Sequence, residues 1–328
     1  MTVAASLRFA FSASDMARTR FAVSPLWEVV ASVRAFRNPA ARGVHRRWYE
    51  ETAPRLAAAG LDRGLLMDLV PPSGYTPDFI TPPPGAGGGA LAGELREVAA
   101  TPAAEVRREL DAFGLRTGRV EAMREDPAAG LARLTSEIAA YWDLALAPYW
   151  PKVRTVLEAD VFHQARRLAA DGAEAVLGDL HPSVRWTAGT LTVADRICPG
   201  DTHLHGHGMV LVPSVFAWSW VSTTATTPTP KQLFYPSRGR GSVWERDRPV
   251  VPDAVAAVLG RTRALLLAEL ASPASTSELA GRTGLSAPGV NQHLTALRDA
   301  GIVSAHRAGR SVLYVRTAVA ESLLAAGA

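Results

Sequence analysis

The spacing of apolar residues changes along this chain, and each change predicts a different kind of element. Before residue 80 the runs are short and alternate, Leu7, Phe9 and Phe11, then Phe21 and Val23, the period of half-buried strands. A helix is expected over 24–36, with Pro25 in its first turn and Asn38-Pro39 ending it. Residues 81–89, Thr-Pro-Pro-Pro-Gly-Ala-Gly-Gly-Gly, suit neither helix nor ladder and predict a loop or linker. From Ala90 to about Leu180 the spacing is helical. Leu131, Leu134, Ile138, Tyr141 and Trp142 follow it, and so do Val153, Val156, Leu157, Val161 and Leu168 beyond Pro148 and Pro151. Residues 184–193, 208–221 and 231–244 then read as strands joined by Pro-, Gly- and Thr-rich turns. The 208–221 run is the longest apolar stretch. Pro213, Ser214 and Ser219 interrupt it, so it predicts a buried strand and not a bilayer span.

After Pro252 the order becomes helix, helix-turn-helix, hairpin, short helix. The first helix carries Val255, Val258, Leu259, Leu265, Leu266 and Leu270 on one broad apolar face. Ser275-Thr276-Ser277-Glu278 has the form of a capping box, and Gly284 suits the left-handed residue that stops the helix after Thr283. Ser286 begins a third helix over 286–300, in which Val290, Leu294 and Leu297 fall on one face at i, i+4 and i+7. The opposite face offers Pro288, Asn291, Gln292, Thr295 and Arg298. It is polar and poor in acids, as a helix entering the major groove of DNA requires. Ser286 and Ala287, at the start of that helix, are expected on a phosphate. Gly301 ends the helix, and a hairpin over 302–316 turns at Ala308-Gly309, with Arg307, Arg310 and Ser311 near its tip. From Arg298 to Arg316 four arginines face one acid, Asp299, an excess suited to phosphates or a minor groove.

These patterns predict an α+β, mainly helical protein in two parts, an α+β domain over 1–245 and a winged helix-turn-helix over 250–328. A length of 328 residues allows such a division, and 48% hydrophobic with 20% charged residues excludes disorder. Cys198 is the single cysteine, so no disulfide framework exists. With no signal-peptide pattern at the start, a cytoplasmic location is expected. The formal charge is +4, and Lys152 and Lys231 are the only lysines. Arginine suits phosphate and guanine through its planar fork. Because a GC-rich genome produces the same bias, the charge permits nucleic-acid binding without establishing it.

The C-terminal stretch resembles a known family. Thr276-Ser277-Glu278-Leu279-Ala280, Gly284-Leu285-Ser286 and Val290-Asn291-Gln292-His293-Leu294-Thr295-Ala296-Leu297-Arg298-Asp299-Ala300-Gly301-Ile302-Val303 are similar to the ArsR/SmtB group of winged-helix repressors. Gly309-Arg310-Ser311-Val312-Leu313-Tyr314 is similar to their wing. The resemblance implies a transcriptional repressor that acts as a homodimer on a palindromic double-stranded DNA operator. It further implies dimerisation through the first and last helices of the module, the last being Ala318 to Ala326. Metal-sensing members carry a Cys-x-Cys pair in the second helix. Here Ser277-Glu278-Leu279-Ala280-Gly281 stands in its place, so arsenic, zinc or cadmium sensing there is not expected. The preceding 250 or so residues resemble the large uncharacterised N-terminal domain attached to some members, most clearly at Trp186 and Pro213-Ser214-Val215-Phe216.

In that domain the tryptophans stand out, all eight lying at or before Trp244. Ordinary core packing accounts for any one of them. Together Trp142, Trp150, Trp186, Trp218 and Trp220 suggest an aromatic-lined site for a small organic effector. The segment Cys198-Pro199-Gly200-Asp201-Thr202-His203-Leu204-His205-Gly206-His207 would, if extended, point His203, His205 and His207 to one side, where imidazoles hold zinc or nickel. A solvated surface loop is the competing reading, and no cofactor is expected. No nucleophile elbow, Walker loop or dinucleotide fingerprint is present, so no enzyme is expected. The alternative is a metal-binding or enzymatic N-terminal domain fused to a DNA tether, and a third reading is a regulator that works through protein contacts alone.

Overall fold

A computed structural model describes residues 6–39, 43–85, 89–194, 200–217, 220–224, 230–244, 253–271, 273–308 and 311–326. The chain divides into two compact units, Met1–Trp244 and Glu245–Ala328, and the architecture is α+β, mainly helical. Among the described residues no helix is long and apolar enough to cross a membrane.

The first unit supplies helices α1 (Ala13–Arg18), α2 (Pro25–Arg37), α3 (Arg46–Ala58), α4 (Leu65–Leu69) and α5 (Leu91–Ala99). After them come α6 (Ala103–Phe113), α7 (Gly118–Glu125), α8 (Pro127–Ala145) and α9 (Trp150–Gly178). Two four-stranded sheets complete it. One has the order β3 (Val184–Thr187), β4 (Thr190–Ala194), β1 (Ser6–Ala10), β5 (Gly200–His203). The other runs β2 (Arg20–Phe21), β6 (Met209–Ser214), β8 (Lys231–Pro236), β7 (Ser222–Thr223).

The parallel pair β6 and β8 is the divider of this unit. Val210, Val212 and Phe234 face a helical core with Leu26, Trp48, Leu134, Ile138 and Leu157. Met209, Leu211, Leu233 and Tyr235 face a second core with Leu7, Phe9, Leu191 and Val193 of the other sheet. Strands buried on both faces read as continuous apolar runs, which is why 208–221 carries its long apolar signal. The strand itself stops at Ser214, and Val215, Phe216 and Ala217 continue as buried irregular chain. Likewise 231–244 is a strand only as far as Pro236, after which Arg240–Trp244 is a 3-10 turn.

Ser24 caps α2, accepting from the Trp27 amide at 2.9 Å, with Pro25 in the first turn. The loop after Ile80 packs on this unit. Thr81 is buried, and its carbonyl accepts from Gln232 Nε2 at 2.6 Å.

The second unit contains α10 (Asp253–Leu259), α11 (Arg261–Glu269), β9 (Ala274–Ser275), α12 (Thr276–Thr283) and α13 (Ala287–Asp299). It ends with β10 (Val303–Ala308), β11 (Ser311–Arg316) and α14 (Ala318–Ala326), the three strands ordered β10-β11-β9. The single helix expected over Val255–Leu270 is two. Gly260, at φ +83°, breaks it, and Val258 is 78% exposed instead of facing the core. Leu266, Leu267, Leu279, Val290, Leu294, Leu297 and Tyr314 form the core of this unit.

Candidate nucleic-acid interface

Local chemistry sets the turn between α12 and α13. Ser275 Oγ accepts from the Glu278 amide at 3.3 Å, and Glu278 Oε2 accepts from the Ser275 amide at 2.7 Å, a closed capping box. Gly284 sits at φ +73° and ends α12. Ser286 Oγ then accepts from the Gly289 amide at 3.3 Å. Pro288 has no N–H to offer, so a phosphate at this helix start finds the Ala287 amide and the Ser286 hydroxyl proton, fewer donors than an open helix terminus presents.

Core packing rotates α13. With Val290, Leu294 and Leu297 buried, the opposite face turns outward. Ser286, Ala287, Pro288, Asn291, Gln292 and Arg298 are exposed on it, and Thr295 is half-buried. Arg298 donates through Nη2 and Nε to Asp299 Oδ1 at 3.1 and 3.3 Å. An exposed pair of this kind is worth less than about 1 kcal/mol, so it yields readily to a stronger acceptor.

In the hairpin Arg307 lies opposite Val312 and Ala308 opposite Ser311. Arg307 is exposed, and Arg310 lies outside the described residues. Arg316 does not join the tip. Its Nε and Nη2 donate to the carbonyls of Leu267 and Ala268 at 2.6 and 2.7 Å, and Nη1 pairs with Glu321 at 3.7 Å. These carbonyls at the end of α11 accept from the Leu270 and Ala271 amides at 3.2 and 3.3 Å, and the guanidinium adds a second, charged donor to each. Burial lowers its pKa, against the pull of Glu321. The basic excess expected from Arg298 to Arg316 is therefore smaller on the surface than the residue count suggests.

The residues expected to line an effector site are dispersed. Trp142 and Trp150 meet edge to face at 4.9 Å, Trp186 packs on Phe11 at 5.1 Å in the other core, and Trp220 meets Trp27 at 6.0 Å. Trp218 lies outside the described residues. Among the described residues Trp142, Trp150 and Trp220 pack against the helical core and Trp186 against the other, so the set is not brought together.

The histidines do not share one side of a strand either. β5 ends at His203, and His205 turns to φ +52° between buried Leu204 and Gly206. The His203 and His205 rings stand 5.9 Å apart, and Cys198 lies outside the described residues. Among the described residues no group of three or more His, Cys, Asp or Glu is placed to hold a metal ion.

Charged groups also lie buried inside the first unit. Glu28 is fully buried, and both its carboxylate oxygens accept from the Val215 amide at 3.2 Å. Burial pushes its pKa up to about 8, opposed by Ser214 and by the amides of Val215 and Phe216. Arg34, on the same helix, is also buried. Two charges inside an otherwise apolar helical run were the available signal.

Residues 264–305 match the family described as bacterial regulatory protein, arsR family, and residues 103–240 match a family of unknown function, DUF5937. The first match runs from α11 into β10 and so contains α12 and α13. The second covers α6 through β8. Among curated proteins and among solved structures nothing matches.

Proposed function

From the premise that the C-terminal region is an arsR-family helix-turn-helix behind a large N-terminal domain, we propose a homodimeric transcriptional repressor whose N-terminal domain answers to a small effector. The DNA-binding, regulatory character belongs to the family of the C-terminal region. The finer reading rests above all on α13, which holds Val290, Leu294 and Leu297 inward and leaves Asn291, Gln292 and Arg298 outward. In this reading Asn291, Gln292, Thr295 and Arg298 read base edges, while Arg307 and Arg310 hold backbone or minor groove. Val258 and Val319, 78% and 53% exposed on α10 and α14, are the apolar surface that a second copy would cover. An effector shifts operator affinity only by its differential affinity for two states of the dimer.

The test is fluorescence anisotropy on duplexes tiled across the region upstream of the protein's own gene, at two salt concentrations. One tile is expected to bind well above the rest and to survive the higher salt. Arg298→Ala is expected to cost roughly 1–3 kcal/mol and relax sequence preference, whereas Arg307→Ala weakens every duplex alike and lowers the salt slope. Uniform binding erased by salt overturns the operator reading. Equal losses from both substitutions with unchanged preference overturn the division of roles.

A further inference from the structure

Helix α2 carries two charged groups inward, and the fold satisfies only one. Glu28 has the amides at the end of β6. Arg34, 9% exposed, donates through Nη2 to the Gly74 carbonyl at 2.7 Å and to Thr76 Oγ1 at 2.6 Å. Its Nε is buried without a hydrogen-bond partner. Burial lowers its pKa to about 10, and no acid acts against that. A buried charge without a countercharge is among the costliest things a fold can hold.

The neighbours of Arg34 form a connected aromatic group. Its guanidinium lies 5.2 Å from the ring centre of Trp220. Trp220 meets Trp27 edge to face at 6.0 Å, and Trp27 stacks on Phe234 at 3.5 Å with 11° between the planes. Gln232 lies two positions from Phe234 and so shares that face of β8. Trp27, 3% exposed, has an indole N–H with no acceptor, and Gln232, 1% exposed, has a carbonyl oxygen with no donor. Unpartnered buried polar atoms are rare, and each calls for an explanation. Here two of them, on Arg34 and Trp27, lie along one chain of touching side chains, and the third is on the strand position two residues from the ring that Trp27 stacks on.

The geometry points to a binding site for an aromatic carboxylate, with Arg34 as its countercharge and the Trp27 and Trp220 indoles as its walls. The guanidinium and the Trp27 N–H donate to the carboxylate, as charge-assisted bonds require. The ligand ring lies against the indoles, and Gln232 Oε1 accepts from a ring hydroxyl or N–H. Trp220 is half-buried and marks the side open to solvent. That occupancy releases DNA rests on the effector reading above, whereas binding itself does not.

The experiment titrates the full chain with benzoate, phenylacetate and indole-3-acetate, with the matching amides as neutral controls, following tryptophan fluorescence and Tm. At least one acid is expected to saturate and raise Tm, its amide to bind at least about tenfold more weakly, and Arg34→Met to abolish the effect. Gln232→Leu is expected to lower affinity for ring-hydroxylated acids such as salicylate by a larger factor than for benzoate. If Arg34→Met fails to fold, Trp220→Leu carries the same expectation from a half-exposed position. The site is overturned if none of the acids saturates by about 10 mM, or if the amides or the Arg34→Met protein bind as tightly. Operator anisotropy on the same samples separates the two readings. Acids that bind without changing DNA affinity leave the site standing and remove the effector role.

Discussion

Three buried glutamates hold their protons unusually high in the first unit. Glu28 is pushed up to about 8, Glu94 to about 7 and Glu109 to about 7, in each case chiefly by burial, against an ordinary value of 4.5. Amide donors from Val215, Leu26 and Phe79 oppose the shifts, and the charges of Asp78 and Glu105 add to that of Glu109. A raised folded value means stability that is complete below the unfolded pKa and lost as pH climbs through the folded one. The loss therefore runs from about 4.5 to about 8, at roughly 1.4 kcal/mol per pH unit for each group protonated in the folded chain only. His45 works the other way. Burial and the charge of Arg240 lower it from 6.5 to about 4, so its contribution is present above 6.5 and lost on acidification. Melting of the first unit followed from pH 6 to 8.5 is expected to show a falling Tm, and Glu28→Gln to flatten the fall. A curve that rises with pH, or one unchanged by Glu28→Gln, contradicts this assignment.

Single elements were legible wherever their stop signals are local. The α12 capping box, Gly284 and the Ser286 cap each need only a few consecutive residues, and all stand where the sequence puts them. What needs distant chain was not legible. β1 pairs with β4 across Ser6↔Ala194 and lies parallel to β5, partners nearly the whole unit away in sequence, and β2 is two residues long. The histidine segment failed for a nearer reason, because a period-two reading assumes extended backbone and Gly206 and Gly208 stand at φ +80° and +70°. Arg316 was misread because charge alone does not reveal which carbonyls lie above it. Removing it tests its structural role. Arg316→Ala removes the second donor from two α11 carbonyls that keep their backbone bonds, and is expected to cost on the order of 1 kcal/mol, read as a lower Tm of the second unit. An unchanged Tm, with DNA affinity lost instead, returns Arg316 to the surface role.

The whole molecule has two units with separate cores, the first centred on residues such as Leu134 and Val212 and the second on Leu294 and Leu297. Calorimetry of the full chain is expected to resolve two transitions. Leu294→Ala, which empties a fully buried position, should lower one of them by the equivalent of roughly 2–5 kcal/mol and leave the other in place. A single transition that shifts as a whole shows instead that the units melt together.

Ser275 belongs to two structures at once, pairing with Leu313 in β11 and opening α12 with its side chain. The hairpin and the helix-turn-helix are thus geared through one residue, so a pull on the first arrives as a torque on the second. Residues added at the hairpin tip would leave that gearing intact. One residue added between Ala274 and Thr276 would strip it, and the two pieces proposed to grip DNA would turn independently.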